Sequence, residues 1–179
     1  MTRQLTILTL TLTICLTSFG QTNIKSQNHE KQSNAIQVDT SVIAILPFDT
    51  NSHWIFKDGK NITLSADELL TVEDILKKCI TNYNPDQEKQ FEKINKEHPE
   101  YKLDKKHFVI DLTKYKRQYV AIINSKGEKE VWVNCFCNTR DKNWKTNLVF
   151  VLDGGNCYFN LKINLTTGQY FELMVNGDA

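Results

Sequence analysis

The chain lacks a strong net charge, a biased composition and a long uncharged apolar run. Its 179 residues include 22 Lys and Arg against 21 Asp and Glu, which leaves a net charge of +1. This balance excludes a strongly cationic nucleic-acid binder, because such proteins carry a clear positive footprint. With 7 glycines and 3 prolines, collagen-like and low-complexity chains are excluded as well. The 40% hydrophobic and 24% charged residues are typical of a globular domain, and the length fits one domain.

Signatures of catalysis and cofactor binding are also scarce. The sequence has no His-Glu-x-x-His pair, no serine elbow and no phosphate-cradling glycine loop. Cys135, Cys137 and Cys157 could join a histidine as four soft metal ligands. However, a one-residue spacing within a predicted strand does not aim two sulfurs at one ion. We therefore predict no metal site and no cofactor.

The first twenty residues have the pattern of a secretory signal peptide. Arg3 is a short positive region, residues 5–16 are apolar, and small residues precede a cut after Gly20. The apolar stretch of about 15 residues is shorter than the roughly 20 that a spanning helix needs. An uncleaved anchor and a lipoprotein lipidated at Cys15 are the alternatives. We expect an exported protein, periplasmic, secreted or associated with the outer envelope, without a transmembrane segment in its mature form.

Removal of residues 1–20 takes away one arginine and no acid, so the mature chain is neutral. No net field steers it to nucleic acid, and we predict none as a partner. Its partner is expected to be a protein or a small ligand that is recognised by local chemistry. Residues 21–38 are polar without sustained periodicity and are interpreted as a flexible tether. Residues 39–179 are then a single domain.

Hydrophobic periodicity predicts one main helix. Ser65 and Glu68 form a capping box at its start, where each side chain satisfies an unpaired backbone N–H group. An apolar stripe follows at three- and four-residue steps: Leu69, Val72, Leu76, Cys79, Ile80 and Tyr83. Because the residue before a proline avoids the α region, Pro85 is expected to end this helix at about Asn82. A separate, charge-rich helix is predicted over 86–97.

Short runs of alternating or β-branched residues predict the strands. They cover residues 41–47, a hairpin of 54–57 with 60–64 around Asp58-Gly59, and 108–112, 119–124, 130–137, 148–152, 157–164 and 170–175. Successive strands with short turns predict an antiparallel meander of about five to six strands. With the main helix on one face, the fold class is α+β, cystatin-like or NTF2-like in outline. The segments with which cystatins bind proteases are absent, so protease inhibition is not predicted.

The mature chain keeps four cysteines, and an even number in an exported protein suggests disulfides. The candidates are Cys79, Cys135, Cys137 and Cys157. On one strand, Cys135 and Cys137 would be about 6.6 Å apart, at the upper limit for a bridge. In a meander, strand 148–152 would lie between the strand that ends at Cys137 and the strand that begins at Cys157. The two cysteines would then lie at opposite ends of the sheet. Their bridge is therefore not expected unless residues 138–147 cross over. Buried free thiols are the alternative, because free cysteine is often fully buried.

One hypothesis about function arises from a cysteine and a histidine. Cys157 follows Asp153-Gly-Gly-Asn, which superficially resembles a glycine turn that presents a nucleophile, and His107 is a candidate base. A thiol-dependent hydrolase or transferase is the alternative function that this pair suggests. A plain hairpin turn is the competing interpretation of the motif.

Aromatic residues suggest a binding surface. Trp54, Trp132 and Trp144 could line a ligand or sugar surface. If Val131, Val133 and Cys135 face the helix, then Trp132 and Phe136 lie on the outer face of the sheet, joined by Tyr158. An exposed aromatic patch is typical of a contact site. Alternatively, the N-terminal strands cover this face. The main functional prediction is a non-catalytic binding or envelope-associated module.

The C-terminal half resembles a family of short exported bacterial proteins to which no activity is assigned. The resemblance covers residues 118–179 and is carried by "VWVNCFC", "DGGNCYFNLKINL" and a "VNGDA" ending, with "KKCITNYN" in the helix. It implies export and a bacterial source. It implies no catalytic residue.

Overall fold

The computed structural model describes residues 39–50 and 52–177, which lie within one compact unit. The regular elements are β1 (Ile43–Leu46), β2 (Lys60–Asn61), α1 (Ala66–Glu97), β3 (Lys116–Ile123), β4 (Lys129–Phe136), β5 (Tyr158–Asn164) and β6 (Gln169–Val175). The predicted signal peptide, residues 1–20, and the predicted tether, residues 21–38, lie outside the described residues.

The six strands found within the described residues form one mixed sheet. Its order is β1-β3-β4-β5-β6, with β2 paired to β3 beside β1. From β3 to β6, consecutive strands pair antiparallel, as the meander prediction requires. In contrast, β1 pairs parallel to β3, so the all-antiparallel expectation is wrong at this edge. The reason is that α1 lies between β1 and β3 in the sequence, and it acts as the crossover connection that a parallel pair needs. The α+β class with one main helix is confirmed.

The predicted start and buried face of α1 are confirmed. The Ser65 hydroxyl accepts a hydrogen bond from the backbone N–H of Glu68 at 3.2 Å, and the Glu68 carboxylate accepts one from Ser65 at 2.9 Å. The helix buries Val72, Ile75, Leu76, Cys79 and Ile80 against the sheet. This face is continuous because residues three and four positions apart lie on one side of a helix.

The predicted break at Pro85 is wrong, because α1 continues through this residue to Glu97. Pro85 removes one backbone donor, but tertiary contacts on both sides hold the helix together. The Asn84 side chain donates to the Ile110 carbonyl at 2.8 Å and accepts from the Ile110 N–H at 2.9 Å. Farther along, the Phe91 ring packs edge-on against Phe108. The predicted second helix, 86–97, is therefore the C-terminal part of α1.

A buried polar cluster joins α1 to the sheet. The Glu73 carboxylate accepts a hydrogen bond from the Tyr119 hydroxyl and lies 3.3 Å from Nε of Arg117. The Arg117 guanidinium also donates to the carbonyls of Tyr115 and Leu112. Burial and the adjacent negative charge of Glu73 raise the pKa of Tyr119 well above 10, so its hydroxyl remains a donor. Because a buried charge must be paired, this cluster fixes where the helix rests on β3.

The predicted hairpin around Asp58-Gly59 does not form. Residues 54–57 are not a strand, and Lys60–Asn61 pairs with β3 instead. At Gly59, an added Cβ would lie 2.5 Å from Cδ1 of the fully buried Ile122. The glycine is thus needed for close approach to the sheet, and the turn propensity of Asp-Gly is overridden. The preceding Ile55 and Phe56 are buried on the outer face.

The alternation over 108–112 does not produce a strand. Short 3-10 turns flank it instead, at Lys105–His107 and at Leu112–Lys114. Asp104 caps the first turn through a hydrogen bond from the N–H of Lys106, and Asp111 caps the second through one from Thr113. Such local side-chain bonds offer the backbone an alternative to strand pairing.

The outer face of the sheet is covered by the long β4–β5 connection. Gln118 and Asn134 are neighbours on β3 and β4, and both are buried on this face. Gln118 donates to the carbonyls of Trp144 and Asn147 and accepts from the N–H of Val149, whose carbonyl accepts from Asn134 at 2.7 Å. The predicted strand 148–152 is wrong, because side chains rather than a neighbouring strand satisfy its backbone.

Trp132 and Phe136 lie on the predicted outer face, but the expectation that they form an exposed patch is wrong. Trp132 is 3% exposed and Phe136 is 0% exposed. They pack in a second core with residues of the 48–56 segment and of the β4–β5 connection, including Ile55, Phe56, Trp144 and Val149. The covering segments are mostly loops, so the alternative that N-terminal strands cover this face is met only in part.

We expect Trp132→Ala to lower the free energy of unfolding by about 3–5 kcal/mol, because the ring is buried and leaves a cavity. Trp54→Ala is the matched control. That ring is 56% exposed, so its removal should cost about 1 kcal/mol, the value of its edge contacts with Trp132 and Phe150. Urea denaturation followed by circular dichroism measures both. Equal losses in the two variants would contradict a covered outer face.

Candidate functional site

A disulfide closes the end of the β4–β5 ladder. Cys137 and Cys157 are bonded, with their Cα atoms 5.0 Å apart. The expectation against this bridge is wrong because β4 pairs directly with β5. The register continues beyond Phe136 and Tyr158, and the N–H of Cys137 donates to the carbonyl of Cys157 at 2.9 Å. The connection of residues 138–156 loops out instead of adding a strand between them.

Two glycines shape the chain just before Cys157. Gly154 and Gly155 have φ of 88° and 60°, in the left-handed region that favours glycine. A Cβ at Gly154 would also lie 2.7 Å from the ring of Tyr158. The motif is therefore a tight 3-10 turn at Gly155–Cys157 that leads into β5, not a two-strand hairpin turn.

Asn156 ties this turn to the segment after α1. Its side-chain amide donates to the carbonyl of Lys106 at 2.9 Å and to that of Val109 at 3.0 Å. The buried Tyr115 donates through its hydroxyl to the Asn156 carbonyl at 2.8 Å. Burial raises the pKa of Tyr115 to about 12, so this hydroxyl stays protonated and keeps donating. Three hydrogen bonds thus hold the turn and the segment together as the walls of one cavity.

This cavity, of about 500 Å³, brings together the two residues of the thiol hypothesis. Both His107 and Cys157 line it, as do Cys137 and Asn156. The ionic part of the lining comprises three lysines and one acid: Lys105, Lys106, Lys114 and Asp111. We call it the disulfide cavity. A concave site with a few converging polar groups is the usual form of a small-molecule site.

Each lysine of the disulfide cavity has an exposed carboxylate partner. Lys105 pairs with Glu88 at 2.8 Å, Lys106 with Asp104 at 2.8 Å, and Lys114 with Asp111 at 3.5 Å. Hydrogen bonds lower the pKa of Asp104, and the largest contribution comes from Lys106. They also lower the pKa of Asp111, where the largest contribution comes from Thr113. Exposed pairs of this kind contribute little to stability, so a ligand can compete for the lysines.

The thiol hypothesis changes once the sulfur partners are known. Cys157 is half-buried but bonded to Cys137, so it carries no thiol in this state. The remaining candidates, Cys79 on α1 and Cys135 on β4, are free and buried in the core between the helix and the sheet. Burial raises the pKa of Cys79 to about 11 and raises that of Cys135 further. Neither is an activated nucleophile, because reactivity requires an accessible thiolate.

The predicted aromatic contact residues do not form one exposed surface. Trp132 and Phe136 are buried, and Tyr158 is half-buried against the outer core. The exposed rings near Trp132 are those of Trp54 and Phe150, 56% and 61% exposed. Trp54 was among the tryptophans that the sequence suggested for a binding surface. Phe150 was not, because it lies in the segment predicted as a strand.

Two further cavities lie beside the covering connection. One, of about 330 Å³, is bounded by residues such as Pro47, Ser52 and Thr146. The other, of about 570 Å³, is bounded by residues such as Arg140 and Asp153. Neither lining includes a cysteine or a histidine. The disulfide cavity is therefore the candidate site with the more reactive chemistry.

Over 39–50 and 52–177, no group of three or more His, Cys, Asp or Glu side chains is placed to hold a metal ion. Within the same ranges, no helix combines the length and the apolarity needed to cross a bilayer. In the comparisons with known proteins, no family model, no curated protein and no solved structure matches the chain.

Reducing the Cys137–Cys157 bridge should lower the free energy of unfolding by about 3 kcal/mol, because it releases a loop of 20-residue separation in the unfolded chain. Urea denaturation with and without a phosphine reductant measures the change. In Cys137→Ser/Cys157→Ser the same reductant should have no effect, because Cys79 and Cys135 are already free. A reductant effect that persists in this double variant would contradict the assignment.

Proposed function

We propose that the protein is an exported, non-catalytic binding module that takes a small anionic ligand in the disulfide cavity. The observation that carries the proposal is the lining. Three lysines and His107 face one aspartate around a cavity of about 500 Å³. Ammonium groups are natural partners for carboxylate and phosphate oxygens. The neutral mature chain supplies no long-range attraction, so recognition depends on these lysines, whose exposed carboxylate partners a ligand can displace.

Binding is favoured over catalysis by the state of the sulfur atoms. The alternative function, a thiol-dependent hydrolase or transferase using Cys157 with His107, needs a free thiolate beside a base. In the bonded state Cys157 cannot attack a substrate. The disulfide instead fixes one wall of the cavity, which lowers the ordering cost of binding.

Export is part of the proposal. The leader pattern of residues 1–20 supports it, and so does a disulfide, since such bonds persist chiefly in oxidising compartments. The resemblance of residues 118–179 to short exported bacterial proteins points the same way. A cystatin-like or NTF2-like outline remains part of the proposal, but fold analogy alone carries no function.

Anion binding is tested with citrate, inorganic phosphate and neutral glucose by isothermal titration calorimetry. We expect an anion to bind and glucose not to bind. The triple variant Lys105→Gln/Lys106→Gln/Lys114→Gln should weaken anion binding at least tenfold, about 1.4 kcal/mol, because it removes the ammonium partners. Raising the salt concentration should weaken binding in the same direction.

A charge-matched variant controls for net charge. Lys93→Gln/Lys126→Gln/Lys142→Gln removes three exposed lysines that do not line the disulfide cavity. It should bind the anion as the unmodified protein does. Equal weakening in both triple variants, or no binding of either anion, would contradict the proposed site.

Export is tested by intact mass of the protein recovered from the envelope or the medium of an expressing bacterium. The expected mass lacks residues 1–20 and is two hydrogen atoms below that of the same chain with every cysteine reduced. Full-length protein confined to the cytoplasm would contradict export. A lipid on Cys15 would contradict the predicted cut while retaining export.

A further inference from the structure

We infer that the Cys137–Cys157 disulfide is a thiol–disulfide exchange site that reacts preferentially with anionic low-molecular-weight thiols. The charge preference rests on the proposed function of the disulfide cavity. The exchange itself rests on the exposure of the two cysteines and on their place in the lining of the cavity.

The disulfide lies where a small thiol can reach it. Cys137 is exposed and Cys157 is half-buried, and both line the disulfide cavity. A bridge that only stabilised a core would be enclosed, as the thiols of Cys79 and Cys135 are. Exchange requires access of a thiolate to a sulfur, so this bridge meets a condition that the buried cysteines fail.

The two cysteines are held together by contacts that do not involve sulfur. The N–H of Cys137 donates to the carbonyl of Cys157, and β4 and β5 stay paired through Phe136 and Tyr158. The turn is also tied by Asn156 and by the hydrogen bond from the N–H of Gly155 to the Gly177 carbonyl. The reduced form therefore keeps both thiols adjacent, and the bridge can close again without refolding.

The exchange balances with two equivalents of thiol. A thiolate attacks Sγ of the exposed Cys137, a new S–S bond forms, and the Cys137–Cys157 bond breaks to leave the Cys157 thiolate. A second thiolate attacks the ligand sulfur of this mixed disulfide and releases the Cys137 thiolate. Two small thiols are oxidised to their disulfide, the protein disulfide is reduced by two electrons, and the two protons lost by the small thiols end on the cysteines.

The lining selects the class of thiol. Lys105, Lys106 and Lys114 line the same cavity as the sulfurs, and each is paired only with an exposed carboxylate, that of Glu88, Asp104 or Asp111. Because exposed pairs of this kind are weak, the three lysines can exchange these partners for the carboxylates of an incoming thiol. They attract a thiol that carries carboxylates, and they stabilise the negative charge that develops on the leaving sulfur. A cationic thiol of similar reactivity meets repulsion instead.

The test measures the rate at which each of three thiols reduces the oxidised protein. Glutathione is anionic, 2-mercaptoethanol is neutral and cysteamine is cationic. Reactions are quenched with acid, and free Cys137 and Cys157 are quantified by mass spectrometry. Each rate is corrected for the thiolate fraction of the reagent. At low salt, glutathione should react at least tenfold faster than cysteamine. The ratio should approach one at 0.5 M salt and in Lys105→Gln/Lys106→Gln/Lys114→Gln.

The control variant Lys93→Gln/Lys126→Gln/Lys142→Gln should keep the preference. Equal corrected rates for the three reagents, or reduction no faster than global unfolding, would overturn the inference. S-methylglutathione, which carries the carboxylates of glutathione but has no thiol to exchange, separates the two proposals. If S-methylglutathione binds but the three thiols show no selective exchange, the proposed anion binding stands and the exchange site is overturned. Failure of both S-methylglutathione and citrate to bind removes the proposed function, and selective exchange can still be scored independently.

Discussion

The direct pairing of β4 with β5 is the constraint on which the rest of the structure depends. This register places Cys135 opposite Phe159 and brings Cys137 beside Cys157. Any strand inserted between β4 and β5 would separate the two cysteines by a strand width or more. Because none is inserted, the 19 residues between the cysteines must leave the sheet and return to it, and they do so across the outer face.

The returning connection produces both the second core and the disulfide cavity. Its middle part is held by Gln118 and Asn134, whose buried amides replace the backbone partners that a strand would have supplied. Its final turn carries Asn156, which binds the carbonyls of Lys106 and Val109. The middle of the connection therefore helps to bury Trp132, and its final turn builds the cavity wall. Packing and the candidate site follow from the same register.

Sequence patterns predicted the elements whose stability is local or periodic. The capping box at Ser65, the apolar stripe of α1 and the strands that became β3, β4, β5 and β6 follow from hydrophobic spacing and local hydrogen bonds. The opposite faces of Val131 and Trp132 also followed from the two-residue period of a strand. These features depend on residues close together in the chain.

Most of the failures involve long-range partners, whereas the missing strand at 108–112 reflects local capping by Asp104 and Asp111. Pro85 stays within α1 because Asn84 bonds to Ile110, 26 positions away. The apolar residues of 148–152 leave the sheet because polar side chains of distant strands bind their backbone. One signal was present in the sequence. Gln118 and Asn134 are amides on strands otherwise rich in apolar residues, and a buried amide implies a covering chain that satisfies it.

The candidate site was visible only as separate residues. His107 and Cys157 were both named from the sequence, yet their spacing of 50 positions gave no geometry. The three lysines were missed because nothing in their spacing along the chain relates them to Cys157. Only the tertiary arrangement shows that Lys105, Lys106 and Lys114 surround the same cavity as the disulfide.

Disulfide mapping of the purified protein without reduction tests the β4–β5 register most directly. Trypsin should release residues 130–140 linked to residues 146–162, and chymotrypsin, by cleaving after Phe136, separates Cys135 from Cys137. The account predicts Cys137 bound to Cys157, with Cys79 and Cys135 alkylated only after denaturation. A bridge from Cys157 to Cys135 or to Cys79 would contradict it.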